Sequence, residues 1–495
     1  MRTGKTERIL ILLFSAGAAL SWAILLGWIV PAFQETKKIC LLAVALLVCA
    51  FLCFRILKRL EDRPGLLPGI SAVLFVLIST GLCYAGKELR VYPGWDFGSV
   101  YMGAVEIAED GFFSGDSNWY FTTYPNNLAV CLFLGAIFKV FGGLCSYITL
   151  GVLVNIFMID LGLLCMYALA EELYGRAEAC FSLLAAGLFL PFYMHTPIFY
   201  TDTFALPFVS GTLLLFVKRR RKTDGDVKPW LAAAAGVLAA VGFKMKGSLG
   251  VLLVAMLLFV WLEREKLTRK WQQSVLLLVP FLLVTGLITT VPRMLPIMDA
   301  SDAEKNEFPL EHWLALGLTS SGGYNADVYF MTASVEGKAE KQAVDRAYVE
   351  EKLKEYGVSG MWTHLKEKEI FTWGDGVYFA PEKLKREPLK ESWLHAYVLY
   401  DGARYASTYR YCNAYQLLLM LGILASFLKN FLKKGACRRE VLLQLSVFGI
   451  FAFLLFWETR SRYLVNFVPV FILLGIDVLR SVGLQGTEKK RNEKA

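Results

Sequence analysis

Charge is scarce in this 495-residue chain. Asp, Glu, Lys and Arg make up 19% of it against 56% hydrophobic residues, and the mean hydropathy is +0.47. That balance excludes a soluble enzyme of this length. Histidine is rarer still, with four scattered residues, and the ten cysteines form no CxxC pair and no metal-ligand spacing. Most lie inside apolar runs, as Cys40, Cys49, Cys53, Cys165 and Cys180 do, so neither a disulfide framework nor a zinc site is read. No Gly-rich phosphate loop, GxSxG elbow or HExxH helix occurs, which leaves nucleotide-driven and protease chemistry without support. The chain also lacks an internal repeat, which weakens an inverted-repeat transporter reading.

What is abundant is apolar sequence in runs of about 20 residues, the length that crosses a bilayer. The net charge of +9 sits mostly in short loops between these runs. It therefore reads as a topology signal and not as a nucleic-acid footprint. Arg2, Lys5 and Arg8, the loop around Arg55 to Arg63, the cluster 218–222, the loop 264–270 and the tail 487–494 all fall on the cytoplasmic side. The first run, 8–31, has no small-residue cleavage site and reads as a retained anchor. The expected fold is an all-α polytopic membrane protein of about 12 transmembrane helices with both termini inside. It has interfacial helices in the first large outer loop and a mixed extracytoplasmic domain.

Four regions follow. Residues 1–65 hold two additional N-terminal spans. Residues 66–291 form a membrane module with outer loop 87–127 and an interfacial helix at 128–141. Residues 292–410 form an extracytoplasmic loop domain, and 411–495 hold the last spans and the tail. In the outer loop Phe97, Val100, Tyr101, Ala104, Val105 and Ala108 recur at helical spacing, the pattern of a helix lying in the interface plane and ended by Gly111. The run 128–141 is apolar but too short to span, and laying it flat keeps every strongly basic loop on one side.

Against this background a few polar residues stand out. Asp96 lies between Trp95 and Phe97, partly desolvated, which suits it to accept a proton. Asp202 sits in a tight outer turn, where it reads as a site carboxylate or as an N-cap for the next span. Lys244 and Lys246 are costly near lipid unless they snorkel or meet an anion. Arg460 and Arg462 lie on the outer side, against the positive-inside pattern, and call for a phosphate or for Glu458 as partner. Asp160, with Asn155, falls mid-span and reads as a functional group or a buried hydrogen-bonded pair. Outer-face carboxylates beside outer-face cations are what transfer from a lipid phosphate needs: one takes a proton, the other stabilises the departing phosphate.

Taken in order, these motifs resemble the GT-C superfamily of membrane glycosyltransferases, in the branch with protein mannosyltransferases and the aminoarabinose transferase of lipid A. The motifs begin with Trp95-Asp96 and Tyr124-Pro125-Asn126-Asn127, each opening an interfacial helix. Glu171-Glu172-Leu173-Tyr174-Gly175-Arg176, Tyr200-Thr201-Asp202, the Lys244/Lys246 break and Arg462-Tyr463 follow. The resemblance covers about 66–265 well and the last spans loosely. It implies a polyprenyl-phosphate sugar donor used outside the cytoplasm, with inversion at the anomeric centre. Asp96 would be the base or acceptor-orienting group and Asp202 the second acidic residue, with Lys244, Lys246, Arg462 and Tyr463 at the donor phosphate. Two features depart from the family pattern: two spans precede the usual first one, and Gly98 stands where an Asp-x-Asp pair would end.

The expected activity is therefore a hexosyl- or pentosyltransferase of the cell membrane, moving a sugar to a hydroxyl of an envelope glycan, lipid or protein. Trp95, Tyr101, Tyr124, Asn126 and His195 are the candidates for sugar and acceptor contacts, and Arg460 joins the phosphate set. The partners are then the lipid-linked donor, the envelope acceptor and membrane lipids. No cofactor and no metal ligand is assigned, and a divalent metal is left open. Two alternatives stay: a flippase for lipid-linked sugars that uses Asp160 as part of a pathway, and an envelope-glycan polymerase or ligase centred on Arg460 and Arg462.

Overall fold

The computed structural model describes residues 4–492 apart from 64, 221–227 and 437. Arg2, Arg221 and Lys222 of the basic clusters, and 493–494 of the basic tail, lie outside the described residues. The chain opens with three long apolar helices, α1 (Lys5–Ala32), α2 (Thr36–Arg59) and α3 (Leu66–Glu88). Three shorter ones follow: α4 (Asp96–Glu109), α5 (Gly115–Thr123) and α6 (Leu128–Phe141). The long α7 (Tyr147–Leu173) leads to α8 (Arg176–Gly187), α9 (Leu190–His195), the one-turn α10 (Thr201–Phe204) and α11 (Leu206–Lys218). Next come α12 (Pro229–Met245), α13 (Gly250–Leu262) and α14 (Leu267–Met294).

The polar segment holds α15 (Ala300–Asn306), α16 (Leu310–Gly317), α17 (Ala326–Ala333), α18 (Lys338–Trp373), α19 (Ala380–Leu384) and α20 (His395–Val398). The chain closes with α21 (Tyr405–Leu432), α22 (Glu440–Phe456) and α23 (Val468–Asn492). No strand forms among the described residues. One isolated antiparallel bridge, Val91 with Pro388, ties the segment before α4 to the chain after α19.

By length and composition seven helical segments can cross a bilayer: α1, α2, α3, α7, α14, α21 and Ser461–Ser481. Twelve crossings are reached only if the broken α8–α9 pair and the shorter α11, α12, α13 and α22 also cross. α6 has 14 residues, about 21 Å of helix against a hydrocarbon core of about 30 Å. It meets α5 at 100°, the geometry of a broken span or a re-entrant element. α4 lies against it, with Gly135 of α6 facing Ile107 and the Ala104 carbonyl. α4 ends where expected: Gly111 adopts φ +85° and returns its N–H to the Glu106 carbonyl at 3.1 Å.

The two N-terminal helices are not an appendage. Trp22 of α1 is fully buried and donates from Nε1 to the Met420 carbonyl of α21 at 3.0 Å. Asn430 of α21 donates to Ser15 of α1 at 2.8 Å and to Gln444 of α22 at 2.6 Å. Such bonds specify helix partners in lipid, where apolar contact alone is not selective. α12 closes on α14 at Gly236, where a Cβ would run into the Leu277 carbonyl.

The two ends of the bundle differ in charge pattern. At one end the basic loop residues meet carboxylates: Arg219 pairs with Glu263, Lys58 with Glu178 at 2.9 Å, and Arg439 with Glu172 at 2.8 Å. At the other end, beneath the 295–404 segment, lie Asp96, Asp202, Lys246 and Arg462.

Candidate active site

The site is built on the turn between α9 and α10. Asn155 of α7 reaches that turn and donates from Nδ2 to the carbonyls of His195, Thr196 and Ile198 at 2.9, 2.8 and 3.3 Å. Its Oδ1 accepts the Thr203 hydroxyl at 2.5 Å. A buried amide thus satisfies backbone groups that no helix ladder can reach. Asn155 does not pair with Asp160, whose Oδ2 instead accepts the Ser79 hydroxyl at 2.7 Å.

Held this way, Asp202 points inward and is almost fully buried. Lys246 pairs with its Oδ1, and Arg462 Nη1 with its Oδ2 at 2.8 Å. Asp202 does not cap the next helix: α11 starts at Leu206 with Ala205 in the N-cap position and no side-chain cap. Burial alone would raise the Asp202 carboxyl, but Lys246 and Arg462 overcome it and hold the group well below the usual carboxylate range. Lys246 reaches it because α12 stops at Met245, leaving Lys246 extended in the break before α13. The Tyr463 ring lies between the two cations, 4.5 Å from Lys246 Nζ and 4.9 Å from Arg462 Cζ.

Asp96 opens α4 and is half-buried. The Tyr120 hydroxyl donates to its Oδ1 at 3.2 Å and accepts from Asn127 Nδ2 at 2.7 Å. The Tyr200 hydroxyl donates to Asn127 Oδ1 at 3.3 Å, and the Tyr200 ring faces Arg462 at 5.6 Å. A hydrogen-bonded chain of Tyr120, Asn127 and Tyr200 therefore links the Asp96 side to the Asp202 side.

The polar segment supplies the third wall. Asp375 accepts the N–H groups of Val377 and Phe379 at 3.2 and 2.9 Å, and the Ser461 hydroxyl at 2.6 Å. One half-buried carboxylate thus fixes the 375–379 turn to the chain that carries Arg460 to Tyr463. The turn leads into α19, from which Lys383 reaches Trp95 (4.7 Å from the ring centroid) and Tyr200 (6.0 Å). Burial and nearby Arg462 push the Lys383 ammonium down to about 7, against the pull of Asp96 and Asp202. Glu458 accepts the Tyr463 hydroxyl at 3.1 Å and is raised by burial, with Arg462 opposing.

The sequence-derived candidates divide accordingly. Asp96, Asp202, Lys246, Arg462, Tyr463, Trp95 and His195 fall within one electrostatic neighbourhood, His195 buried with its Nδ1 on the Pro191 carbonyl at 2.9 Å. Arg460 stands at its edge, unbonded to Glu458 and stacked on Phe371 and Phe379 at 4.1 and 4.2 Å. Tyr124 packs on Phe308 and Tyr120, within electrostatic range of Asp96.

Three candidates are elsewhere. Lys244 faces Arg293 and Glu307, Tyr101 is buried among Tyr92, Phe138 and Phe199, and Asn126 donates to Asn127 Oδ1 at 3.5 Å. Lys383 and Tyr120 enter from positions the sequence reading did not single out, while Glu458 was named there only as a partner for the outer arginines and Tyr200 only as part of the Tyr200-Thr201-Asp202 motif. Among the described residues no three His, Cys, Asp or Glu side chains gather closely enough to share a metal ion.

No curated protein matches the chain. Among solved structures it is similar to the Archaeoglobus fulgidus oligosaccharyltransferase in the apo form, at 13% identity and a TM-score of 0.47, over 87% of this chain and 52% of that one. It is also similar to AglB of that organism in complex with an inhibitory peptide and a dolichol-phosphate, at 12% identity and a TM-score of 0.42, over 85% and 51%. A third is ArnT from Cupriavidus metallidurans bound to undecaprenyl phosphate, at 15% identity and a TM-score of 0.36, over 84% and 79%. All three are GT-C glycosyltransferases. The chain spans about half the length of the oligosaccharyltransferases it matches. A family model covers far more of the sequence than any single motif, matching residues 69–481, and by that match the chain belongs to the family described as conserved hypothetical integral membrane protein.

Proposed function

We propose that this integral membrane protein is a glycosyltransferase that moves a sugar from a polyprenyl-phosphate donor to a hydroxyl of an envelope glycan, lipid or protein. The observation that carries the reading is convergence. Asp96 from α4, Asp202 from α10, Lys246 from the α12–α13 break and Arg462 from the start of the last membrane segment meet at one end of the bundle.

In this reading Asp96, half-exposed and with Oδ2 outside the bond to Tyr120, takes the proton of the acceptor hydroxyl. The hydroxyl oxygen bonds to the anomeric carbon as the bond from that carbon to the phosphate oxygen breaks. Polyprenyl phosphate leaves with the electron pair, and the configuration inverts. Lys246 and Arg462 stabilise the charge growing on the phosphate. Asp202 keeps both cations charged and fixed, so little reorganisation is needed in the transition state. Arg462 Nε, buried and without a hydrogen-bond partner among the described residues, is a donor still to be used.

The reading assigns no metal or cofactor, so the assay includes a divalent ion as a variable. The site sits on the extracytoplasmic side of the cell membrane. This follows from placing the end rich in ion-paired basic loops in the cytoplasm.

The test uses full-length protein in detergent, a panel of radiolabelled polyprenyl-phosphate hexoses and pentoses, and crude envelope acceptor. Release of polyprenyl phosphate with one panel member supports the reading and names the donor. Tight binding of a donor with no release from any member sinks it and favours a flippase.

A further inference from the structure

The buried cations of the site are not equivalent. Lys246 and Arg462 are each committed to an oxygen of Asp202. Lys383 is 6% exposed, yet among the described residues its ammonium has neither a carboxylate within ion-pair distance nor a hydrogen-bond acceptor. Its neighbours are the faces of Trp95 and Tyr200. A buried ammonium costs several kcal/mol unless an anion meets it, and a lysine needed only for its stem would send its charge out to water. This one lies over the rings of Trp95 and Tyr200 instead. Arg460 repeats the pattern on the adjoining ring: it stacks on Phe379, which in turn stacks on Trp95 at 6.4 Å.

We propose that Lys383, carried by the polar segment and not by the membrane helices, binds the phosphate of a lipid-linked ligand. This assignment rests on the transferase reading for its ligand class. An incoming phosphate meets the carboxyl groups of Asp96, Asp202 and Glu458, and Asp202 already offsets half the charge of Lys246 and Arg462. A third cation with no carboxylate of its own balances the account. The charged and titratable groups facing Lys383 are Asp96 on α4, Asp202 on α10, His195 on α9, Arg462 on the chain before α23, and Arg386 just after α19.

The experiment measures binding of radiolabelled undecaprenyl phosphate, and separately of inorganic phosphate, to the full-length protein in detergent at pH 6. Wild type is compared with Lys383→Met, which keeps the apolar stem, and with Lys383→Arg, which keeps the charge. Lys383→Met is expected to weaken lipid binding by at least about tenfold, about 1.4 kcal/mol, with a melting temperature at or above that of wild type, while Lys383→Arg binds within about threefold of wild type. Displacement of the lipid by millimolar inorganic phosphate identifies a free-phosphate site. Resistance to it identifies a lipid headgroup site, and both leave Lys383 as the anion's partner.

Wild-type affinity for both probes in Lys383→Met overturns the proposal. If that variant loses its melting transition, protection of Lys383 from acylation by bound lipid in the wild type decides. Protection supports the proposal and equal labelling refutes it. Lipid binding that depends on Lys383 without any sugar release defeats the transferase reading and leaves this assignment standing.

Discussion

Trp95 and Phe379 stack 12° from parallel with ring centroids 6.4 Å apart, and both hold a positive φ, +58° and +60°. Such backbone geometry costs a side-chain-bearing residue about 1–3 kcal/mol and persists only where its surroundings enforce it. Here Asp375 enforces one side through the Phe379 N–H, and the Val91–Pro388 bridge draws the two segments together. The stack joins the residue before Asp96 to the turn before Lys383. In the proposed reading it couples the acceptor side of the site to the phosphate side.

Phe379→Leu keeps a Cβ, and with it the same backbone strain, but removes the ring under Trp95 and Arg460. An aromatic pair of this kind contributes about 0.5–1.5 kcal/mol. The expected result is a rise of about three- to tenfold in KM for the donor with kcat little changed. Steady-state kinetics with a matched donor checks it, and a fall in kcat alone contradicts it.

Asp202→Asn leaves Lys246 and Arg462 buried without their common anion. Removing one partner of a buried pair typically costs about 3–5 kcal/mol, so a marked drop in melting temperature is expected. Adding Lys246→Met should recover part of it, because one orphaned charge is then gone. A double variant no more stable than Asp202→Asn would show that the pairing is not what holds this turn.

Asn155 touches no ligand in this account, yet the Thr196 and Ile198 carbonyls of the turn before Asp202 depend on its amide, while the His195 carbonyl also accepts the Ile198 N–H at 2.9 Å. Asn155→Ala leaves those two carbonyls unmet, at about 1–3 kcal/mol for an unsatisfied buried group. Activity is expected to fall by at least tenfold with a lowered melting temperature, and hydrogen exchange should rise across 195–203. Unchanged exchange there contradicts the stapling role.

Lys383, held near 7, gives a pH dependence with two opposite signs. Below that value it is charged and binds phosphate, so kcat/KM for the donor falls as pH rises from 7 to 9. Stability moves the other way. The unfolded lysine keeps its proton up to about 10.4, so the unfolded state binds more protons across this window and stability from this group rises with pH. Kinetics and melting curves run at matched pH should therefore diverge, and Lys383→Arg should flatten the alkaline fall. A melting temperature that drops in step with activity points instead to simple unfolding.

Much of the frame was legible because lipid imposes it. The runs that became α1, α2, α3, α7 and α14 are apolar for longer than a soluble core needs. The helix α4 followed from its spacing and from Gly111. Arg462 and Lys246 drew attention by being charged where charge is expensive, and burial on one carboxylate is the physical answer.

Lys244 drew the same attention, but it belongs to the last turn of α12 while Lys246 lies beyond the break, so the two side chains part. Lys383 was hidden for the opposite reason. Glu382-Lys383-Leu384-Lys385-Arg386 reads as a solvated face, and only the fold, through Asp375 and the 375–379 turn, brings one of its lysines inside. Tyr120 was likewise indistinguishable from the many interface aromatics, and Tyr200 was marked only as a neighbour of Asp202. Their role is a hydrogen-bonded chain across four elements, which no local pattern encodes.

The most direct test of the transferase account compares wild type with Asp96→Asn for release of polyprenyl phosphate from a matched radiolabelled donor. Donor binding and melting temperature are read alongside. Asparagine keeps the shape and the bond from Tyr120 but cannot take the acceptor's proton. The account predicts a loss of release of at least about a hundredfold, the usual scale for general-base catalysis, with donor binding and folding retained. Full release by Asp96→Asn would contradict it.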